Sequence, residues 1–270
     1  MIYRDEYLGQ GVRSTSPIVE LNQWRSSIAR RARDHAREFR ETTVDLTYQW
    51  LYDTVRARFD SDDAMEAFLP QALTPEELTR KGDDRYLSAM TQRIFQAGMQ
   101  HSVIDAKWPA FEAAFSGFVP ETMALLNDAD IERHMQNRQI IRDRAKLRTI
   151  PRNAQFILDV RQEQGASFGT FIAGWPVPDI IGLWRLLAKR GARLGGRSAA
   201  GFLRLAGKDT FLLTSHVVAR LVAAGVIARE PTNQRDLQAV QDAFNALQQS
   251  CGRPLCQLSS MLALSIHPAF

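Results

Sequence analysis

Cysteine is scarce in this chain: of 270 residues only Cys251 and Cys256 are cysteines. A disulfide framework therefore does not hold the fold together, and a reducing cytoplasm is the expected compartment. Long apolar runs are missing as well, because charges interrupt every hydrophobic stretch short of the roughly 20 residues a spanning helix needs. An integral membrane protein is not expected. The opening text Met1-Ile2-Tyr3-Arg4-Asp5-Glu6-Tyr7 is charged from Arg4 onward and lacks the apolar core and small-residue cleavage site of a secretory signal. Hairpin turns between alternating apolar runs are not found, so no strand is predicted. Nor does any internal repeat stand out. The histidines His35, His101, His134, His216 and His267 show no paired metal spacing, and neither a metal nor a cofactor is expected.

One stretch also lacks acids. Residues 181–208 contain Arg185, Lys189, Arg190, Arg193, Arg197, Arg204 and Lys208 and no Asp or Glu. The overall charge of +4 is only mildly basic, so this local imbalance says more than the total. Such a stripe suits a polyanion, although a solvated helix face would look the same.

What is present is helical text. With 45% hydrophobic residues, the chain can bury one large core. Residues 1–47 mix Ser/Thr with arginines such as Arg25, Arg30, Arg31, Arg33, Arg37 and Arg40, and read as a polar extension carrying a charged helix. Residues 48–270 read as one helical domain. From Tyr48 onward apolar residues recur at helical spacing, as in Trp50, Leu51, Val55 and Phe59. Thr74-Pro75-Glu76-Glu77 is an N-cap, a first-turn proline and two acids. Further helices are predicted over 84–100, 108–115, 120–126, 128–135, 142–164, 167–172, 178–189, 198–205, 214–223 and 233–249. The connectors are short and carry Gly117, Gly165, Gly174 with Pro176, Gly207 and Gly225.

Residues 186–200 place a helix, a glycine-bearing turn and a second helix in succession. Glycines let backbone amides approach a phosphate, and the following helix start adds its positive dipole end. Lys189, Arg190, Arg193 and Arg197 stand ready for phosphates beside Leu194, Gly195, Gly196 and Ser198. A plain interhelical connection would also fit the glycine pair.

This segment resembles the hairpin of the helix-hairpin-helix DNA glycosylases, in which text of the type L-P-G-V-G precedes a helix and a later V-D-T-H-V-x-R-V. Here the corresponding text is Ala192-Arg193-Leu194-Gly195-Gly196, then Leu213-Thr214-Ser215-His216-Val217-Val218-Ala219-Arg220-Leu221. Leu194 replaces the first hairpin glycine, and Thr214 stands where the aspartate would be. A second block, Met90 through Met99 followed by Lys107-Trp108-Pro109-Ala110-Phe111-Glu112-Ala113-Ala114-Phe115, is similar to the Q-A-G-L-S-W and K-R-x-x-F-x-x-A-F text of the 3-methyladenine DNA glycosylase I family. Ile140 through Leu147, with Asn153-Ala154, is similar to that family's G-I-I-R-N-R-x-K-I and N-A blocks. Together they run from about residue 83 to residue 265 in the family's order.

The resemblance implies an all-α, helix-hairpin-helix glycosylase-like bundle with a helical N-terminal extension. It also implies a monomer that acts on double-stranded DNA holding a damaged base, removing an alkylated purine such as 3-methyladenine by hydrolysis. Such an enzyme extrudes the base from the stack and stabilises charge as the glycosidic bond breaks. Gly98-Met99 is the implied wedge, although Met99 would also fit a core. The implied base pocket comprises Tyr86, Arg93, Gln96, His101 and Thr214. His101 occupies the place of the family's usual tryptophan, and Trp108 is another wall or a core residue.

Arg93 stands where the family has its base-recognising glutamate, which reverses the charge offered to a cationic base. No catalytic residue is assigned. Asp83, Asp84, Asp143 and Asp179 are candidate carboxylates that read equally as caps or surface acids. For a cationic alkylated base, already a good leaving group, the loss of the aspartate at Thr214 costs little, and the family resembled lacks it too. Several members hold zinc with N-terminal Cys and His text that is absent here, so Cys251 and Cys256 are expected as buried thiols. Two alternatives stand beside the enzyme: a non-catalytic relative that binds damaged or bent DNA through the hairpin, and a helical interaction protein with no nucleic-acid role.

Overall fold

Local capping chemistry sets most of the helix starts in the computed structural model, which describes residues 45–266. Thr47 accepts from the Trp50 amide and opens α1 (Tyr48–Arg56), and Ser61 does the same for α2 (Asp62–Phe68). Thr74 and Glu77 form a reciprocal capping box on α3 (Pro75–Arg80), with Pro75 in the first turn. Then follow α4 (Asp83–Gln96), α5 (His101–Ala114), α6 (Pro120–Met123), α7 (Asp128–His134), α8 (Arg144–Leu147), α9 (Thr149–Gln164) and α10 (Phe168–Gly174). The chain continues through α11 (Ile180–Arg190), α12 (Arg197–Ala206), α13 (Ser215–Ala223), α14 (Gln234–Cys251) and α15 (Leu255–Leu264). Among the described residues there is no strand, so the fold class is all-α. Among the described residues no single helix is long and apolar enough to cross a membrane. The charged helix expected within 1–47 and His267 lie outside the described residues.

Three differences from the sequence reading have physical causes. The helix expected over 84–100 stops at Gln96, because Ala97 is extended and Gly98 takes φ 78°. A new helix then starts at His101, seven residues before the predicted start. It runs straight through Pro109, whose missing N–H leaves only the exposed Asp105 carbonyl without its helical donor. The helix expected over 142–164 is divided at Arg148: Asp143 caps α8, and Pro151 cannot continue that ladder, so α9 restarts at Thr149. Helix α15 was not predicted. It is apolar nearly all round and packs among α1, α13 and α14, so it shows no amphipathic stripe from which sequence periodicity could be read.

Helix α4 is the central element, packed against α5, α9, α10 and α12. Its Tyr86, Leu87, Met90, Ile94 and Phe95 are buried. Phe95 meets Phe111 edge-on at 4.8 Å, and Trp108 stacks on Phe111 and Phe118. Its indole N–H donates to Ser88 and Glu112, so Trp108 is a core residue.

Three lysines, Lys146 and Lys208 buried and Lys81 half-buried, tie helix ends to their neighbours. Lys146 Nζ donates to the carbonyls of Phe95 and Ala97 at 3.1 and 2.9 Å, closing α4. Lys81 Nζ reaches the Ala206 carbonyl that ends α12, and Lys208 Nζ holds Ala173 and Trp175 at the end of α10. Each ammonium meets the negative end of a helix dipole and satisfies carbonyls that lack an intrahelical donor.

The His134 ring lies 4.3 Å from Phe115. Burial pushes its pKa below the ordinary value of 6.5, with Arg133 adding to the effect and Asp130 opposing it. The unfolded chain therefore binds this proton before the folded one does. Stability is intact above about pH 6.5 and falls as pH drops toward the folded value. The urea midpoint is expected to be lower at about pH 5.5 than at about pH 7.5, with His134→Phe reducing the difference. An undiminished difference in that variant would assign the effect to other groups.

Candidate nucleic-acid interface

The turn between α11 and α12 is fastened from below and open above. Asn153, fully buried on α9, accepts from the Ala192 amide at 2.7 Å and donates to the Ala192 carbonyl at 3.2 Å. Leu194 is fully buried and packs against Gly191, where an added Cβ would lie 2.5 Å from Leu194 Cδ1. Leu194, expected among the DNA-binding residues, is therefore the turn's apolar anchor. Arg193 takes the left-handed φ of 58°, Gly195 and Gly196 are exposed, and Gly196 caps α12 with φ 56° and no side-chain cap. The first amides of a helix have no intrahelical acceptor, so the turn presents backbone donors at the positive end of the α12 dipole. The Ser198 amide, by contrast, is spent on the Gly195 carbonyl at 3.1 Å.

The basic stripe divides once folded. Lys208 is buried as described, and Arg204 donates through one nitrogen to the Thr210 and Cys256 carbonyls and to Ser259 Oγ. Arg190 makes a two-pronged pair with Glu163 at 2.6 and 2.7 Å and lies over the Phe156 ring. Arg197 pairs with Glu230 at 2.5 Å but stays half-exposed. Arg185, Lys189 and Arg193 are exposed near the turn.

Beside this turn opens a cavity of about 920 Å³. One wall is the α11 face of Ile181, Trp184, Arg185 and Ala188, spaced i, i+3, i+4 and i+7. A second is α12, from Gly196 and Arg197 through Ala200, Gly201 and Arg204 to Leu205. Arg93 and Gln96 of α4 close a third side with His101 at the start of α5, and residues 212–215, 230–232 and Leu237 complete the rim. The hairpin thus stands at the mouth of the cavity, since Gly196 and Arg197 belong to both.

Of the expected pocket residues, Arg93, Gln96, His101 and Thr214 are brought together here. Tyr86 is not: it is fully buried, with its hydroxyl donating to the Leu78 carbonyl at 2.8 Å, and it does not line the cavity. Gly98 and Met99 form the turn between Gln96 and His101. Met99 is 38% exposed rather than packed in the core, as a wedge requires. Thr214 caps α13 by accepting from the Val217 amide at 3.3 Å. Gln96 donates to Asp105 at 3.0 Å.

The missed wall residue is Trp184. It is nearly buried, with its indole N–H on Thr210 Oγ1 at 3.1 Å and its ring edge-on to Phe211. The four-residue spacing along α11 was the signal that could have found it.

The cavity is rich in arginine. Arg93, Arg185, Arg197 and Arg204 line it, and among the described residues Glu230, already paired with Arg197, is the one carboxylate in the lining. Arg93 crosses the face of Gly201, where a Cβ would fall 2.2 Å from its Nε. That Nε is buried without an acceptor, as is Arg204 Nε. Burial lowers the pKa of both guanidinium groups, opposed at Arg204 by Cys256 and Asp209.

The candidate acids serve elsewhere. Asp143 and Asp179 cap α8 and α11, Asp83 accepts from the Phe168 amide beside Arg161, and Asp84 pairs with Arg85. Cys256 is buried, its thiol pushed up to about 12 chiefly by desolvation, whereas Cys251 is only half-buried. Among the described residues no group of His, Cys, Asp and Glu is arranged to hold a metal ion.

Comparison with known proteins points to the same helices. Residues 78–180 match the sequence pattern of the methyladenine glycosylase family, a stretch that includes Arg93, Gln96 and His101 but not the hairpin. A DNA-3-methyladenine glycosylase of Haemophilus influenzae is 36% identical over 77 residues, covering 28% of this chain and 41% of that protein. The matched stretch therefore spans less than half of that relative's length. The 3-methyladenine DNA glycosylase I of Staphylococcus aureus superposes with a TM-score of 0.43 at 24% identity, covering 57% of this chain and 90% of that one. An 8-oxoguanine glycosylase/lyase of Methanocaldococcus jannaschii, solved with DNA containing 8-oxoguanine, superposes with a TM-score of 0.48 at 14% identity, covering 79% of this chain and 95% of that one.

Proposed function

We propose, from a chain whose residues 78–180 match the methyladenine glycosylase family, that this protein is a DNA repair glycosylase. It grips duplex DNA through the turn at residues 191–198, takes one extruded base into the adjoining cavity and hydrolyses the bond joining that base to deoxyribose. The observation that carries this reading is the shared boundary of the two features: Gly196 and Arg197 belong both to the phosphate-facing turn and to the cavity rim. A nucleotide whose phosphate sat on the turn would have its base within reach of the cavity.

The roles follow from position. The exposed amides at Gly195 and Gly196, with Lys189, Arg193 and Arg197, hold the backbone without reading sequence. Met99 fills the gap left in the duplex, and Trp184 and His101 flank the base. Among the described residues no lysine lines the cavity, and a reaction with water needs no amine nucleophile there. The turn and the cavity beside it lie on one chain, which suits a monomer. The family resemblance implies an alkylated purine such as 3-methyladenine as the base removed.

A second reading, a relative that binds distorted DNA without cutting the bond, is favoured by the absence of any uncommitted carboxylate from the cavity lining. Two measurements decide. Affinity for duplex DNA should fall with salt, with a slope of about −3 in log K against log salt for roughly three neutralised phosphates; a flat response ends both readings. Single-turnover incubation of excess protein with damaged DNA should then release free base. Tight binding without release of any base from any duplex leaves the binder.

A further inference from the structure

The sign of the charge around the cavity bears on which base it accepts. Arg93 reaches it from α4 with no carboxylate beside it, its Nε shielded from water and without an acceptor. That Nε lies against Gly201, so a ligand in the cavity would meet the terminal guanidinium nitrogens instead, and a guanidinium disfavoured by burial gains from an acceptor placed there. Three residues further on, and so on the same face of α4, Gln96 spends its amide N–H on Asp105. That leaves its carbonyl oxygen and its second amide hydrogen unengaged there, and the oxygen is the acceptor it can offer a base. A donor at Arg93 and an acceptor at Gln96 form the complement of a lactam edge, in which a C=O stands beside an N–H. A cationic N-alkylated purine would instead enter among four arginines and meet one carboxylate that is already paired.

We propose that the cavity selects an uncharged, carbonyl-bearing base with a lactam edge over a cationic N-alkylated purine, with Arg93 as the residue that sets this preference. The inference rests on the glycosylase reading and replaces the alkylated purine that the family resemblance implies with a different base. The step balances with water alone. The bond from C1′ to the base nitrogen breaks and its electron pair leaves with the base, which departs as an anion. Water adds its oxygen to C1′ and yields one proton, and the base takes up one proton, so the products are the neutral base and an abasic sugar. A guanidinium donating to the carbonyl oxygen stabilises the charge as it develops, which a neutral departing group would not need.

The test uses the full chain in excess over duplexes that carry one hypoxanthine, one uracil, one 3-methyladenine or no lesion, with base release and equilibrium affinity both measured. Hypoxanthine or uracil is expected to leave at least about tenfold faster than 3-methyladenine relative to spontaneous loss. Arg93→Gln is expected to slow that release by on the order of 100-fold while leaving affinity for undamaged duplex unchanged. Faster release of 3-methyladenine by the unaltered protein overturns the proposal. So does an equal fall in affinity for every duplex in the variant, which would place Arg93 on a phosphate. If no base leaves any duplex, the glycosylase reading fails by itself. Selectivity is then read from affinity, where a preference for the lactam bases that Arg93→Gln removes supports the proposal and equal affinity overturns it. The thermal midpoint of the variant checks its fold.

Discussion

Gly195→Asp should reduce affinity for duplex DNA by on the order of 100-fold while the protein melts at an unchanged temperature. Gly195 is exposed, its φ lies outside the left-handed range, and an added Cβ would meet nothing within 4 Å. The aspartate can therefore be accommodated without moving the backbone. Its carboxylate would stand beside the opening amides of α12, where it can accept the hydrogen bonds a phosphate needs. It also repels that phosphate: two unit charges about 5 Å apart at an effective dielectric of about 20 differ by roughly 3 kcal/mol, or about two decades in affinity.

Gly196→Asp is the poorer experiment, because Gly196 has φ 56° and ψ −131°, a conformation that a residue with a Cβ resists. Fluorescence anisotropy with a labelled duplex measures the effect, and Gly195→Asn separates charge from size. Unchanged affinity in Gly195→Asp would remove the turn from the interface, and the cavity would lose its reason to face DNA.

Lys146→Met should lower stability by about 2–4 kcal/mol. The ammonium is buried, and burial lowers its pKa, with Asp143 opposing that shift and Arg193 adding to it. It still donates to two carbonyls, those of Phe95 and Ala97. Methionine keeps the length of the stem and removes both donors, so two acceptors at the negative end of α4 lose a charged partner in a place water reaches poorly. The turn they close carries Gly98 and Met99 and sets where His101 begins α5. Urea titration should show a lower midpoint, and hydrogen exchange should quicken at the Met99 amide, which bonds to the Gln96 carbonyl at 3.1 Å. A loss below about 1 kcal/mol would mean that those carbonyls find water instead.

How far the chain could be read in advance depended on the range of the interaction concerned. Thr74 with Pro75 and Glu77, and Gly165 and Gly207 closing α9 and α12, act within a few positions of themselves. A string of residues is sufficient to show them. The turn at 191–198 was visible for the same reason. Met99 was ambiguous between core and surface because exposure depends on what packs around a residue, and Trp184 went unnoticed because its spacing along α11 marks a helix face without saying whether that face lines a cavity or a core.

Sequence alone therefore determined an all-helical chain, the positions of most helix starts and a glycine turn set in a run of bases without acids. Tertiary structure decided which of those bases remain available. Glu163, 27 residues away, covers Arg190, and Glu230, 33 residues away, pairs with Arg197 while leaving it half-exposed, whereas Lys208 turns inward to close α10. It also brought Arg93, Trp184 and Gly196 from three helices to one cavity. Helix nucleation is settled by hydrogen bonds a few residues long, whereas charge neutralisation and concavity arise only when distant segments pack.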